Sequence, residues 1–270
     1  MAKKIRVLIV EDDRYALEMM SLLLRCDWRT QVIGKIAQMA ARPEQLQAFQ
    51  ADLILVGGDG PEQVDRLSGI LEQIHTIHPQ SKIVYAARQV SPALLGRFAA
   101  PGFFGCLLKA EIAYSLVWAL VLAARGEWVI TPGLNILARE QQFSFQHQPI
   151  ILDGTQPIAG LTAAEAESAR QAYLFSISSR WLKSLGSSGE EIPNALQVHM
   201  QRAYRELGMQ AILRGEIEPG HYFAGQDHLI GFFSDQFALM WQSARSEQKK
   251  DLFAYYLLTV PQVLYEPTPA

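Results

Sequence analysis

Between Ile5 and Arg125, short apolar runs alternate with stretches of helical spacing, and this alternation restricts the chain to one kind of architecture. The runs Ile5–Val10, Thr30–Ile36, Leu53–Val56, Lys82–Ala86 and Phe103–Leu107 are of strand length and rich in Val, Ile and Leu. The stretches Tyr15–Arg25, Pro43–Phe49, Glu62–Ile77, Pro92–Phe98 and Glu111–Arg125 read as helices. Strands that are apolar nearly throughout, rather than at every second residue, are buried on both faces. The spacing therefore predicts an α/β domain whose parallel sheet is covered by helices on both sides.

Right-handed crossovers favour a flavodoxin-like (βα)5 strand order, with a site at the carboxyl ends of the strands. Glu11, Asp12, Gly57, Ala86 and Lys109 fall at those ends. A chain of 270 residues has room for one large domain or two smaller ones, and 49% hydrophobic residues suffice to build real cores. The net charge of −3 points to neither nucleic acid nor membrane. Cys26 and Cys106, the two cysteines, match no metal spacing and no disulfide framework, which suits a reducing compartment. The N-terminal residues lead directly into a strand with no secretory pattern, so a cytoplasmic location is expected. The longest apolar stretch, Ile112–Ala124, falls short of the roughly 20 residues that span a bilayer.

Three segments resemble the receiver domain of bacterial two-component response regulators: RVLIVEDD (Arg6–Asp13), ADLILVGGDGP (Ala51–Pro61) and GCLLKAE (Gly105–Glu111). In that family the second segment reads D-L-I-L-L-D-x-x-M-P, and its final Asp accepts phosphate. Matching Asp52 and Pro61 to the pattern puts Gly57 on the acceptor position. The resemblance implies that Glu11 and Asp12 match the cation-binding acids and that Lys109 matches the phosphate-neutralising lysine. The Thr/Ser position that reports the phosphate corresponds to Ala86, and the switch aromatic to Cys106. Acceptor and both reporters are thus missing together, and what is implied is a pseudo-receiver over 1–130 that is not phosphorylated in the usual way. On this reading Glu11, Asp12 and Lys109 form an ion pair rather than a metal site. Asp59, in a Gly-Gly-Asp-Gly turn, is ordinary turn chemistry. No cofactor, metal or enzymatic activity is expected. His75 and His78 near a helix end are the one pair spaced to share a metal, and helix-end histidines are common.

RGEWVITPGL (Arg125–Leu134) resembles the end of the receiver in the NarL/LuxR-type subfamily. The span 131–160 reads as a linker, with Pro149, Gly154, Pro157 and Gly160 as breakers. LTAAEAESARQAYLF (Leu161–Phe175) opens on Thr162 with Glu165 three residues later, a capping-box pattern. Together with VHMQRAYRELGM (Val198–Met209) it resembles the two ends of a LuxR-type helix-turn-helix domain over 161–214. The stretch between Gly186 and Val198 is longer than the family's and holds Glu190, Glu191 and Pro193. The resemblance implies that Gln197, Gln201, Arg202 and Arg205 face DNA. Against strong binding, residues 155–214 hold 6 Lys+Arg and 5 Asp+Glu.

Residues 215–270 match nothing in the family and read as an acidic, aromatic helical hairpin that must pack on another surface. Helix Glu111–Arg125, apolar nearly all round, must be covered on a second side, either by a second copy in a homodimer or by this chain's own C-terminal part. The sequence thus points to a phosphorylation-independent transcription factor of the response-regulator type. Its partners would be duplex DNA and a regulatory protein, with no membrane. The alternative is a protein-interaction adaptor whose helical domain no longer binds DNA.

Overall fold

The computed structural model describes residues 3–37, 42–58, 64–99, 102–145, 148–157, 162–167, 169–170, 228–243, 255–256 and 258–264. The chain divides into two compact units, Met1–Gly154 with Pro261–Ala270, and Thr155–Val260.

In the first unit β1 (Ile5–Val10), β2 (Thr30–Ile36), β3 (Leu53–Gly58), β4 (Lys82–Ala87) and β5 (Phe103–Leu108) pair in parallel in the order β2-β1-β3-β4-β5. This is the flavodoxin-like order that the alternation predicts. Helices α1 (Arg14–Cys26), α2 (Pro43–Gln47), α3 (Val64–Ile77) and α4 (Pro92–Leu95) link the strands, and a 3-10 turn, Gly96–Ala99, continues α4. Side chains alternate between faces along each strand. Leu8, Val10, Ile54 and Val56 share a core with Leu46 of α2, Ile74 of α3 and Leu94 of α4. Val7, Ile9, Leu53, Leu55 and Val84 alternate with them and are equally buried. Burial on both faces is why these runs are apolar without a break.

Three features depart from the sequence reading. The helix expected over Glu111–Arg125 is broken into α5 (Lys109–Ile112), a 3-10 turn (Ala113–Ser115) and α6 (Leu116–Arg125). At the break Ala113 has φ 36° and ψ −116°, a conformation natural only to glycine. In α6 all residues from Leu116 to Ala123 are buried in the single chain, which leaves this stretch no exposed apolar face. Trp118 lies under the Arg29 guanidinium, 3.8 Å from ring centroid to Arg29 Cζ, and Arg29 is paired at 2.7 Å with Asp27.

The span read as a linker, 131–160, instead carries regular structure. β6 (Val129–Ile130) pairs in parallel with β5, α7 (Pro132–Glu140) follows, and β7 (Ile150–Asp153) pairs in parallel with β6. Pro149 and Gly154 stand just outside the two ends of β7, so they bound the strand instead of breaking it. β5 is therefore an interior strand, and the sheet closes on it so tightly that a methyl at Gly105 would lie 3.0 Å from the Val129 carbonyl oxygen.

The chain end departs too. Gln262–Leu264, expected at the end of a helical hairpin, is a strand, β8, antiparallel to β7, and completes an eight-stranded sheet. The whole second unit is thus inserted between two strands of the first.

Within the second unit the capping box of Thr162 and Glu165 is present. The Thr162 N–H and Oγ1 both donate to Glu165 Oε2 at 2.9 Å, and the Glu165 N–H donates back to Thr162 Oγ1 at 3.3 Å. The buried Arg170 donates from Nε to the Leu258 carbonyl at 3.1 Å and from Nη2 to the Gln156 carbonyl at 3.3 Å. It therefore ties the segment that enters this unit to the segment that leaves it, which also meet where the Gln156 N–H donates to Val260 O at 2.8 Å. Helix α8 (His228–Ser243) places Phe237 in a stack with Trp241 and edge-on to Tyr256, with ring centroids 5.3 and 4.9 Å apart. Some of the aromatic surface of 215–270 is thus hidden inside the unit itself.

Candidate functional site: a closed centre at the carboxyl ends of the strands

The carboxyl ends of β1, β3, β4 and β5 bring together the residues that the sequence singles out there. Strand period and register decide which share a face. Val10 pairs with Val56, Gly57 with Ala86 and Ala86 with Leu107, so the next positions along, Glu11, Gly57, Ala86 and Lys109, converge on one side of the sheet.

Glu11 is the centre of this arrangement and is 1% exposed. Its Oε2 accepts from Lys109 Nζ at 2.6 Å, and its Oε1 accepts from the Asp13 N–H at 2.9 Å. Both carboxylate oxygens are therefore engaged, one by a cation and one by backbone, as a buried charge requires. The carboxylate lies directly over Gly57. A Cβ built there would sit 2.5 Å from Glu11 Cδ and closer still to Oε2. Real non-bonded atoms do not approach so closely, so this position of Glu11 requires glycine at 57.

Two further carboxylates follow Glu11 directly in the chain. Asp12 is half-buried, just beyond β1. Asp13 is the N-cap of α1, and its Oδ1 accepts from the Tyr15 and Ala16 N–H groups at 2.8 and 3.1 Å. Those two bonds, Ala16 first, hold its pKa below the usual carboxylate range, and Lys109 and Arg88 add to the effect. Arg88 Nη2 stands 3.9 Å from Asp13 Oδ2. The third acid of the E-D-D run was not read as part of this site; a carboxylate directly before an amphipathic helix was the signal for a cap.

Ala86 is buried at 1% exposure and has no group that could report a bound anion. Cys106 is buried too, and burial pushes its thiol well above the usual range. The aromatic ring near it comes instead from β4. Tyr85, the register partner of Cys106, stacks on Phe98 at 5.3 Å, and Phe98 meets Phe103 edge-on at 5.5 Å. A methyl at Gly58 would fall 2.9 Å from Tyr85 Cζ, so the second glycine of the Gly-Gly pair makes room for this ring.

Asp59 lies outside the described residues, as do Gln197, Gln201, Arg202 and Arg205. His78 is engaged locally, its Nε2 2.9 Å from the Leu46 carbonyl oxygen. Among the described residues no group of three His, Cys, Asp or Glu is placed to hold a metal ion, and no helix is long and apolar enough to cross a membrane.

No family model matches the chain, and no curated protein matches it significantly. It is structurally similar to solved response regulators. RcsB from Salmonella typhimurium is 17% identical, over 77% of this chain and 93% of that one, with a TM-score of 0.46. The isolated REC domain of RcsB from Salmonella enterica serovar Typhimurium is 18% identical, over 50% of this chain and 99% of that one, at 0.44. The signal receiver domain of the response regulator NarL from Mycobacterium tuberculosis is 20% identical, over 47% and 100%, at 0.39. At these identities and scores the likeness assigns neither family nor function.

Proposed function

We propose that the chain is a phosphorylation-independent, cytoplasmic signalling protein of the response-regulator type, whose first unit is a pseudo-receiver. The observation that carries this reading is the Glu11–Lys109 pair, 2.6 Å long, closed over a glycine at the acceptor position. Such a site offers no carboxylate at position 57 to take a phosphoryl group and no hydroxyl at Ala86 to sense one. Control then comes from a protein partner or from the oligomeric state, as a homodimer. The output is transcription, with Gln197, Gln201, Arg202 and Arg205 reading duplex DNA.

A second reading, a protein-interaction adaptor without DNA binding, is favoured by one observation. The unit that holds the helix-turn-helix resemblance is attached at both ends, between β7 and β8. A unit with two covalent tethers has less freedom to reorient onto a duplex than one on a single linker.

Two measurements decide. Incubation with a small phosphodonor and magnesium leaves the intact mass unchanged; a stoichiometric acyl phosphate on any residue sinks the pseudo-receiver reading. Binding to duplex DNA, titrated against salt, falls steeply if the helical unit contacts phosphates and is absent at moderate salt if the protein is an adaptor.

A further inference from the structure

We infer that Glu11 is an internal stand-in for the absent acceptor carboxylate: it delivers, from β1, the negative charge that fixes Lys109, in the very space a side chain at position 57 would take. The inference rests on the pseudo-receiver reading for the meaning of position 57, but its physical content is a coupling between three residues.

Lys109 stands at the start of α5, and its side chain is 18% exposed. An ammonium this far out of water needs a fixed anionic partner. Position 57, on β3 between the strands that lead to Glu11 and Lys109, is the direct place from which to supply one. With glycine there, the carboxylate comes from the neighbouring strand, and the longer Glu side chain reaches across Gly57 to Lys109. The same carboxylate also accepts from the Asp13 N–H, directly ahead of α1. One buried group thereby joins the ends of β1 and β5 and the entries to α1 and α5.

Two consequences distinguish this from an ordinary ion pair. A side chain at 57 and the observed Glu11 position are mutually exclusive, so a methyl at 57 is more harmful while Glu11 is present than after it is shortened. The carboxylate is also transferable, so an aspartate at 57 replaces Glu11 functionally once Glu11 is shortened.

The test uses the full chain with Glu11→Ala, Gly57→Ala, both together, and Glu11→Ala combined with Gly57→Asp, each followed by thermal unfolding. The Lys109 ammonium signal is read in parallel by NMR. Gly57→Ala alone is expected to lower Tm by roughly 3–10 °C, the effect of overpacking in a domain of this size. In the Glu11→Ala background the same methyl is expected to cost less than half as much. Glu11→Ala is expected to abolish the slowly exchanging Lys109 signal, and Gly57→Asp in that background to restore it. Additive Tm changes, or a Lys109 signal indifferent to Glu11, overturn the inference. If Gly57→Ala fails to fold while the double variant folds, the coupling is supported; if both fail, Glu11→Gln, of equal size, decides by whether the Lys109 signal persists. Phosphorylation of the wild-type chain would sink the proposed function and leave this coupling standing, whereas additivity would do the reverse.

Discussion

Asp52 directly precedes β3 and holds it to Arg6 of β1, with the exposed Lys3 ammonium 3.5 Å from its Oδ1. Its Oδ2 accepts from the Arg6 N–H at 2.9 Å and from Arg6 Nε at 3.1 Å, and its Oδ1 from Arg6 Nη2 at 2.9 Å. The Arg6 side-chain bonds hold the Asp52 carboxyl down to about 2. A folded-state value below the unfolded one, about 4, means stability that is complete above pH 4 and is lost as pH falls through about 2. The side chain is 29% exposed, so solvent screening trims the effect. Asp52→Asn is therefore expected to cost about 1–2 kcal/mol at neutral pH. Urea titrations should show that gap constant from pH 7 to 5 and closing between pH 4 and 2; a gap that persists at pH 2 would assign the effect to shape instead of charge. At the same scale, the sequence shows that position 57 lacks a nucleophile, but not what fills its place. Glu11 reaches Gly57 from another strand, and only the register brings them together.

At the scale of elements, length decided what was readable. The five strands through Leu108 are six or seven residues long and, apart from the edge strand β2, largely apolar, and their order follows from alternation and handedness. β6, β7 and β8, at two, four and three residues, are too short to set a period against their surroundings. Hence α7 and β7 read as a linker, and β6 is not marked as a strand. The break in the helix after β5 was hidden for a different reason. Ala113 is a good helix former by type, and nothing local announces its positive φ of 36°. Just after it, Ser115 Oγ donates to the Gly154 carbonyl, which follows β7, so the added strand and the break meet in one contact. Strain of this kind in a non-glycine residue costs on the order of 1–3 kcal/mol. Ala113→Gly is expected to recover part of it, about 1 kcal/mol, net of the entropy that glycine adds to the unfolded chain. Denaturation of that variant beside wild type gives the answer, and a loss of stability would mean that the break is not strained.

The whole molecule is organised by its return to the sheet. An appended domain leaves the first one and does not come back. Here the chain leaves β7 at Asp153, builds the second unit, and re-enters at Gln262 to pair Asp153 with Gln262, Leu152 with Val263 and Ile151 with Leu264. The outermost strand of the first unit is thus supplied by residues more than a hundred positions away in sequence. Ending the chain at Val260 removes this strand. Ile150, Ile151 and Leu152, all buried, would then form an unpaired apolar edge, which is a template for association between chains. Leu264, packed against the main core, would be lost with it. The truncated protein is expected to melt several degrees lower, since each kcal/mol shifts Tm by roughly 2–4 °C in a chain of this length. It should also grow in mass by light scattering as concentration rises. The second unit offers an internal control. The Gln156 N–H and Arg170 bond the carbonyls of Val260 and Leu258, which the truncation spares, so hydrogen exchange at the Gln156 amide should stay slow while amides of β7 lose protection. Loss of protection at both places would mean that the two units unfold together. A truncated protein of unchanged mass and Tm would show that β8 closes the sheet without stabilising it.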